Sequence, residues 1–155
     1  DLFSKMEAKA DVKAKEVSQV ADQVLKEMNN NNPEDNQNQG ATRIYVDGGF
    51  DLPHSGHYNA IRQARNMGDY LVVGVNSDKD LTELKGPTVL NVRERAEILR
   101  HCKFIDEVIE DTEYTPTLET LAKNKCGFYA HGDDPCIDVN GVDVTEVFTK
   151  NNMYK

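Results

Sequence analysis

The sequence predicts an α/β domain, a Rossmann-like parallel sheet with crossover helices, preceded by an N-terminal amphipathic helix. Three observations predict it. Apolar runs of strand length alternate with helical stretches from residue 42 onward, as a parallel sheet with crossover helices requires. The polar, low-complexity stretch NNNNPEDNQNQG separates that alternation from what precedes it. One strand also runs directly into a Gly-Gly turn and a helix start, the arrangement that puts ligands at the carboxyl ends of strands.

Taken in order, residues 1–28 are read as one amphipathic helix, because Val17, Val20, Val24, Leu25 and Met28 recur at helical spacing among Lys, Glu and Asp. Its charges nearly cancel, which favours packing on a partner over a membrane-surface helix with a basic face. Residues 29–41 form a linker with nothing to bury. The folded domain, residues 42–155, has strands at 43–47, 70–76, 107–110 and 127–131. Helices are expected at 54–67, at 91–101 with Asn91 as N-cap, and at 117–124.

A chain of 155 residues suffices for one domain of ordinary size without disulfides or a structural metal. The net charge of -9 argues against nucleic acid as a partner, since phosphate backbones are held by clustered Lys and Arg. Cys102, Cys126 and Cys136 form neither an even disulfide set nor a close-spaced zinc pair, so a reduced, cytoplasmic location is expected. No apolar run approaches the roughly 20 residues that span a bilayer, so no stable membrane insertion is expected.

The chemistry concentrates in RIYVDGGFDLPHSGHYNAIRQA. Here a strand ends at Asp47, Gly48 and Gly49 make a turn, and His54, Ser55, Gly56 and His57 open a helix. Glycines admit a ligand close to the backbone, and a helix start offers unpaired N–H groups and a favourable dipole to anions. Histidines three apart share one helical face, so His54 and His57 can address the same phosphate group. The bland alternative is a surface or metal-binding pair.

These residues resemble the nucleotidyltransferase superfamily marked by His-x-Gly-His. The blocks GGFDLPHSGH, ARNMGDYLVVGVNSD, KGP, NVRERAEIL, FIDEV and HGDD narrow the resemblance to the cytidylyltransferases acting on phosphocholine, phosphoethanolamine and glycerol 3-phosphate, over residues 43–155. The resemblance implies direct attack of a substrate phosphate on the α-phosphorus of CTP, releasing pyrophosphate. That chemistry suits a site without a strong base: a phosphomonoester has its second pKa near ~6 and is already ionised at neutral pH.

By the same resemblance His54, His57 and Lys85 are the catalytic set, the histidines on the triphosphate and the lysine bridging nucleotide and nucleophile. Taken alone, Lys85 before Gly-Pro reads as a solvated loop residue. Gly48, Gly49 and Phe50 match the loop over the nucleotide, Gly56 of His-x-Gly-His is a further nucleotide-binding position, Arg95 matches a nucleotide-contacting arginine, and His131, Gly132 and Asp133 the segment near cytosine and ribose. Without the resemblance, Arg95 among glutamates reads as a surface ion pair. Mg2+ is implied with CTP, held through substrate and water rather than by a protein cage.

Headgroup choice points to phosphoethanolamine. The choline-type members carry Trp, Asp and Tyr at positions matching Tyr114, Gly132 and Cys136, whereas quaternary ammonium groups favour aromatic cages and this chain has no Trp. Asp47 sits where the family places an acid for a cationic amino-alcohol, and Tyr114 lies on the same substrate side. Read alone, Asp47 could equally cap a strand end. Phosphocholine, glycerol 3-phosphate and a catalytically silent binding module are the alternatives.

The family continues past residue 155 with Arg-Thr-x-Gly-(Ile or Val)-Ser-Thr, so the domain is expected to be cut short, and ethanolamine-type members carry two such folds in tandem. FIDEV matches a two-fold interface, implying a homodimer. Phe104, Ile105 and Val108 could equally be core.

Overall fold

The computed structural model describes residues 40–132, 136, 137 and 143–155. The N-terminal helix and nearly all of the linker expected from the sequence lie outside them, as does Asp133. Four strands, β1 (Arg43–Gly48), β2 (Tyr70–Asn76), β3 (Glu107–Thr112) and β4 (Phe128–Tyr129), form one sheet in the order β3-β2-β1-β4. All adjacent pairs are parallel. Near residue 155 the chain returns to the outer edge of β4, where Tyr154 bridges Tyr129 in parallel.

Among the described residues there are five helices, α1 (Ser55–Arg65), α2 (Asp78–Lys85), α3 (Val92–Arg100), α4 (Leu118–Lys123) and α5 (Val144–Lys150). Strand parity sorts them into layers. Ile44, Leu71, Val73 and Val75 bury against Ile61 and Ala64 of α1 and Ala96 and Leu99 of α3. On the opposite face Tyr45, Val72 and Tyr129 bury against Leu118 and Leu121 of α4 and Val144 and Phe148 of α5. Phe104, Ile105 and Val108 pack against the first of these layers.

The strands all stand where the sequence put them, but the boundaries differ. β1 and β3 run further, to Gly48 and Thr112, and β4 shrinks to two residues because β1 bonds it only at Ile44 and Tyr45. Two helices were not expected. In α2 the Ser77 side chain accepts from Asp80 N–H at 3.0 Å, an N-cap worth about 1 kcal/mol, and Leu81 is the one buried anchor. Lys85 is therefore not a loop residue but the last residue of a helix. α5 is capped by Asp143, whose carboxylate accepts from Thr145 N–H at 2.9 Å.

Glycine is required at position 74. Gly74 faces the same side as Tyr45, and a Cβ there would stand 2.1 Å from the Tyr45 hydroxyl oxygen. The phenol occupies the space a side chain would need.

Candidate active site

Sequential strands β1, β2 and β3 progress to one side, and β4 is added on the other side of β1. The order reverses between β1 and β4, so the crevice at their carboxyl ends is where such a sheet binds ligands. Three clusters of side chains gather around the segments leaving these ends.

The first is the histidine pair. His54 is not the first helical residue expected from the sequence but the N-cap of α1, with extended backbone. Its Nδ1 accepts from Gly56 N–H at 3.1 Å, and the Nδ1 of His57 accepts from His54 N–H at 3.2 Å, so the two imidazoles form a reciprocal capping box. An imidazole nitrogen that accepts carries no proton, so each neutral ring bears its hydrogen on Nε2 and keeps that donor for a ligand. The ring centroids are 4.1 Å apart. Burial, and after it the neighbouring His54 ring, hold His57 below the ordinary imidazole value and keep it neutral.

Gly56 makes this folding-back possible: a Cβ there would stand 2.9 Å from His54 Cε1 and 3.1 Å from Nδ1. Phe50 holds the other flank, its ring 5.8 Å from that of His57 in an edge-on contact. Phe50 has φ 50 and Leu52 φ 53, so the turn is held in a left-handed conformation unusual for bulky residues.

Arg95 supports that turn from beneath. Its side chain is 0% exposed. Its NH1 donates to Gly49 O, NH2 to Asn76 O at 2.8 Å and to Asp78 Oδ1 at 2.6 Å, and Nε to Leu90 O at 3.2 Å. This corrects the reading of Arg95 as a surface ion pair: the guanidinium is buried on three backbone carbonyls and Asp78. Asp78 also accepts from Val92 N–H at 3.0 Å, and Asp51 accepts from Val89 and Leu90 N–H at 2.8 and 3.0 Å.

The second cluster surrounds Asp47 at the end of β1. Tyr129 OH donates to Asp47 Oδ1 at 2.9 Å. Asn76 Nδ2 approaches Asp47 Oδ2 at 3.5 Å while bonding Glu113 O at 2.9 Å. Burial pushes the Asp47 carboxyl up to about 6, opposed by the Tyr129 and Asn76 hydrogen bonds and by His131. The half-buried Cys136 thiol is pushed up by burial and by the Asp47 charge. His131 leaves β4 with its ring 5.9 Å from that of Tyr129, and Gly132 O accepts from Tyr154 OH at 3.2 Å.

The third cluster is Lys85 and Tyr114. Lys85 Nζ lies 5.2 Å from the Tyr114 ring centroid, and Tyr114 N–H donates to Asp80 at 3.2 Å. Lys85 also acts electrostatically on Cys136, which ties this cluster to the Asp47 side. Sequence reasoning gave no role to Asp51, Asn76, Asp78 or Tyr129. Ser77 followed by acids before Leu81 was a legible cap signal; the long-range contacts of the other residues had none.

A parallel α/β sheet with paired imidazoles at a helix start beside a glycine turn defines a ligand-binding domain of the doubly wound class. Residues 45–155 match the model of the cytidylyltransferase-like family, and the chain belongs to that family. It is 47% identical over 118 residues to an ethanolamine-phosphate cytidylyltransferase of Dictyostelium discoideum, covering 76% of this chain and 33% of that protein. The mouse protein of the same name is 42% identical, covering 76% and 29%. Human choline-phosphate cytidylyltransferase A is 41% identical, covering 72% and 31%. The chain thus spans about a third of the length of these relatives. A lipopolysaccharide core biosynthesis protein of Thermoplasma volcanium shares the fold, with a TM-score of 0.61 at 22% identity over 74% of this chain and 92% of that one.

Proposed function

We propose that this domain transfers a cytidylyl group from CTP to phosphoethanolamine, giving CDP-ethanolamine and pyrophosphate, a step of phospholipid biosynthesis. The observation that carries the reading is a half-buried carboxylate, Asp47, at the switch point of the sheet, one glycine turn away from two imidazoles that keep Nε2–H free. A substrate with an ammonium at one end and a phosphate at the other matches that division of charge.

In this reading an oxygen of the substrate phosphate attacks the α-phosphorus of CTP, and the bond from that phosphorus to the bridging oxygen of the β-phosphate breaks. No proton need be removed from the nucleophile at neutral pH. His54 and His57 donate from Nε2 to the departing pyrophosphate, where charge builds. Lys85 neutralises the two approaching phosphates. Gly48, Gly49, Phe50 and Gly56 shape the cover over the nucleotide, Arg95 holds that cover through the Gly49 carbonyl, and His131, Gly132 and Asp133 border cytosine and ribose. Asp47 takes the ammonium, with Tyr114 beside it.

Mg2+ would enter with CTP, carried by phosphate oxygens and water and lowering the charge repulsion between the two anions. Among the described residues no group of three His, Cys, Asp or Glu is arranged to hold a metal, so no protein ligand is assigned to it. Homodimerisation and a cytoplasmic location belong to the same proposal, supported by FIDEV and by unpaired cysteines. Among the described residues no helix is long and apolar enough to cross a membrane.

The test is pyrophosphate release from CTP with phosphoethanolamine, phosphocholine and glycerol 3-phosphate offered separately to the intact protein. Phosphoethanolamine is expected to be turned over fastest; equal rates with glycerol 3-phosphate would overturn the role of Asp47.

A further inference from the structure

Tyr129 packs as a core aromatic on every side but one. Its ring lies 4.8 Å from that of Phe148 and 6.4 Å from those of Tyr45 and Tyr154, and the residue is 1% exposed. A phenylalanine would satisfy all of these contacts. The hydroxyl is what the core does not need, and it ends on the Asp47 carboxylate at 2.9 Å. The two carboxylate oxygens are thereby made unequal. Oδ1 accepts a full hydrogen bond, whereas among the described residues the side-chain donor nearest Oδ2 is the Asn76 amide at 3.5 Å, whose closer bond at 2.9 Å goes to Glu113 O.

We propose that Tyr129 is a positioning residue for headgroup recognition: its hydroxyl holds Asp47 by Oδ1 in the ionised form, leaving Oδ2 to meet the substrate ammonium. The inference rests on the ammonium reading of Asp47 given above. The physical reason is that a donor to the charged form stabilises that form against the burial that disfavours it. Burial alone drives this carboxyl toward protonation, and a protonated Asp47 has no charge with which to bind a cation. The titratable groups around it are Tyr45 on the same strand, Tyr129 and His131 on and after β4, Cys136 beyond, Glu113 after β3, and Lys85 acting on Cys136 from α2. Of these, Tyr129 is the one that donates a hydrogen bond to the carboxylate.

The experiment compares Tyr129→Phe, Asp47→Asn and the double variant in the intact protein, measuring KM for phosphoethanolamine and for CTP between pH 5.5 and 8.5. Tyr129→Phe is expected to raise KM for phosphoethanolamine roughly tenfold at pH 7, leaving KM for CTP within about twofold. Removal of the donor lets burial lift Asp47 further. The acid limb of kcat/KM for phosphoethanolamine therefore moves to higher pH, by roughly one unit. The substrate's own phosphate titrates alike with both proteins, so a difference between them belongs to the protein. In the Asp47→Asn background the Tyr129 change is expected to add nothing.

An unmoved acid limb, or an undiminished effect in that background, overturns the positioning role while leaving the ammonium reading intact. An unchanged KM for phosphoethanolamine in Asp47→Asn alone overturns the ammonium reading and this inference with it. If Tyr129→Phe proves poorly folded, 3,5-difluorotyrosine at position 129 preserves the ring and strengthens the donor, and it should move the acid limb downward; no downward movement overturns the role equally.

Discussion

The guanidinium of Arg95 on α3 donates to the carbonyl of Gly49, fastening the glycine turn to a helix that begins more than forty residues later. Four acceptors surround that buried fork: Gly49 O, Asn76 O, Leu90 O and Asp78 Oδ1. Replacing it with a shorter or apolar side chain strands all of them. Arg95→Met is expected to cost about 3 kcal/mol, read as a melting temperature lower by more than about 10 °C. Arg95→Lys should recover little of this, because one ammonium cannot serve a planar set of acceptors.

Gly56→Ala separates geometry from stability. Alanine is worth about 1 kcal/mol over glycine inside a helix, while losing the His54 cap costs about 1 kcal/mol. The melting temperature should therefore change little. The new Cβ would displace the His54 ring, so turnover should fall at least about tenfold. A variant with unchanged kcat/KM would show that the folded-back ring is not needed.

His57→Asn tests the division of labour between the two ring nitrogens. An asparagine oxygen can accept from His54 N–H where Nδ1 does now, and its amide cannot reach the place of Nε2. Stability should stay within about 1 kcal/mol, with turnover lower by about a hundredfold or more. His57→Ala should abolish turnover without unfolding the domain. The neutral His57 of the wild type, held below the usual imidazole value, adds stability that is present above about pH 6.5 and lost as pH falls through its folded value. Denaturant titrations of the Asn variant should show a shallower decline on that limb.

Asp47 has the opposite sign. Its carboxyl stands at about 6 in the folded chain against roughly 3.9 in an unfolded one, so the folded state binds the proton more readily. Its contribution thus favours folding below about pH 4 and is lost as pH rises through about 6. Asp47→Asn should be more stable than wild type by about 3 kcal/mol at pH 8, with the two converging at low pH, while phosphoethanolamine KM rises. Parallel stability curves would refute this account of the carboxylate.

The centre of the sheet was legible because β2 is buried on both faces and reads as a continuous apolar run: Tyr70–Asn76 needed no partner to be recognised. The histidine pair was legible because its chemistry is local, two residues three positions apart on one turn. Arg95 was not. Its neighbours in the sequence are glutamates, and nothing nearby tells that Asp78 and three carbonyls wait for it in the fold. Tyr129 was hidden for a similar reason, since a strand tyrosine facing a core reads as packing, and its carboxylate partner is 82 positions away. Lys85 was misplaced because Gly-Pro after it drew attention to a loop, whereas Ser77 had already started a helix.

Asp51 grips two successive amides, those of Val89 and Leu90, from the far side of the glycine turn. Lys85 closes α2 on one side of that short span and Asn91 opens α3 on the other, so the intervening stretch is moored at both ends. Its length is then set like that of a strap between two rivets: adding or deleting a residue between Gly86 and Thr88 must either pull Asp51 off its amides or unwind the last turn that carries the lysine. The first outcome loosens the histidine-bearing turn and the second displaces the cation, so one change of length in this strap puts both at stake.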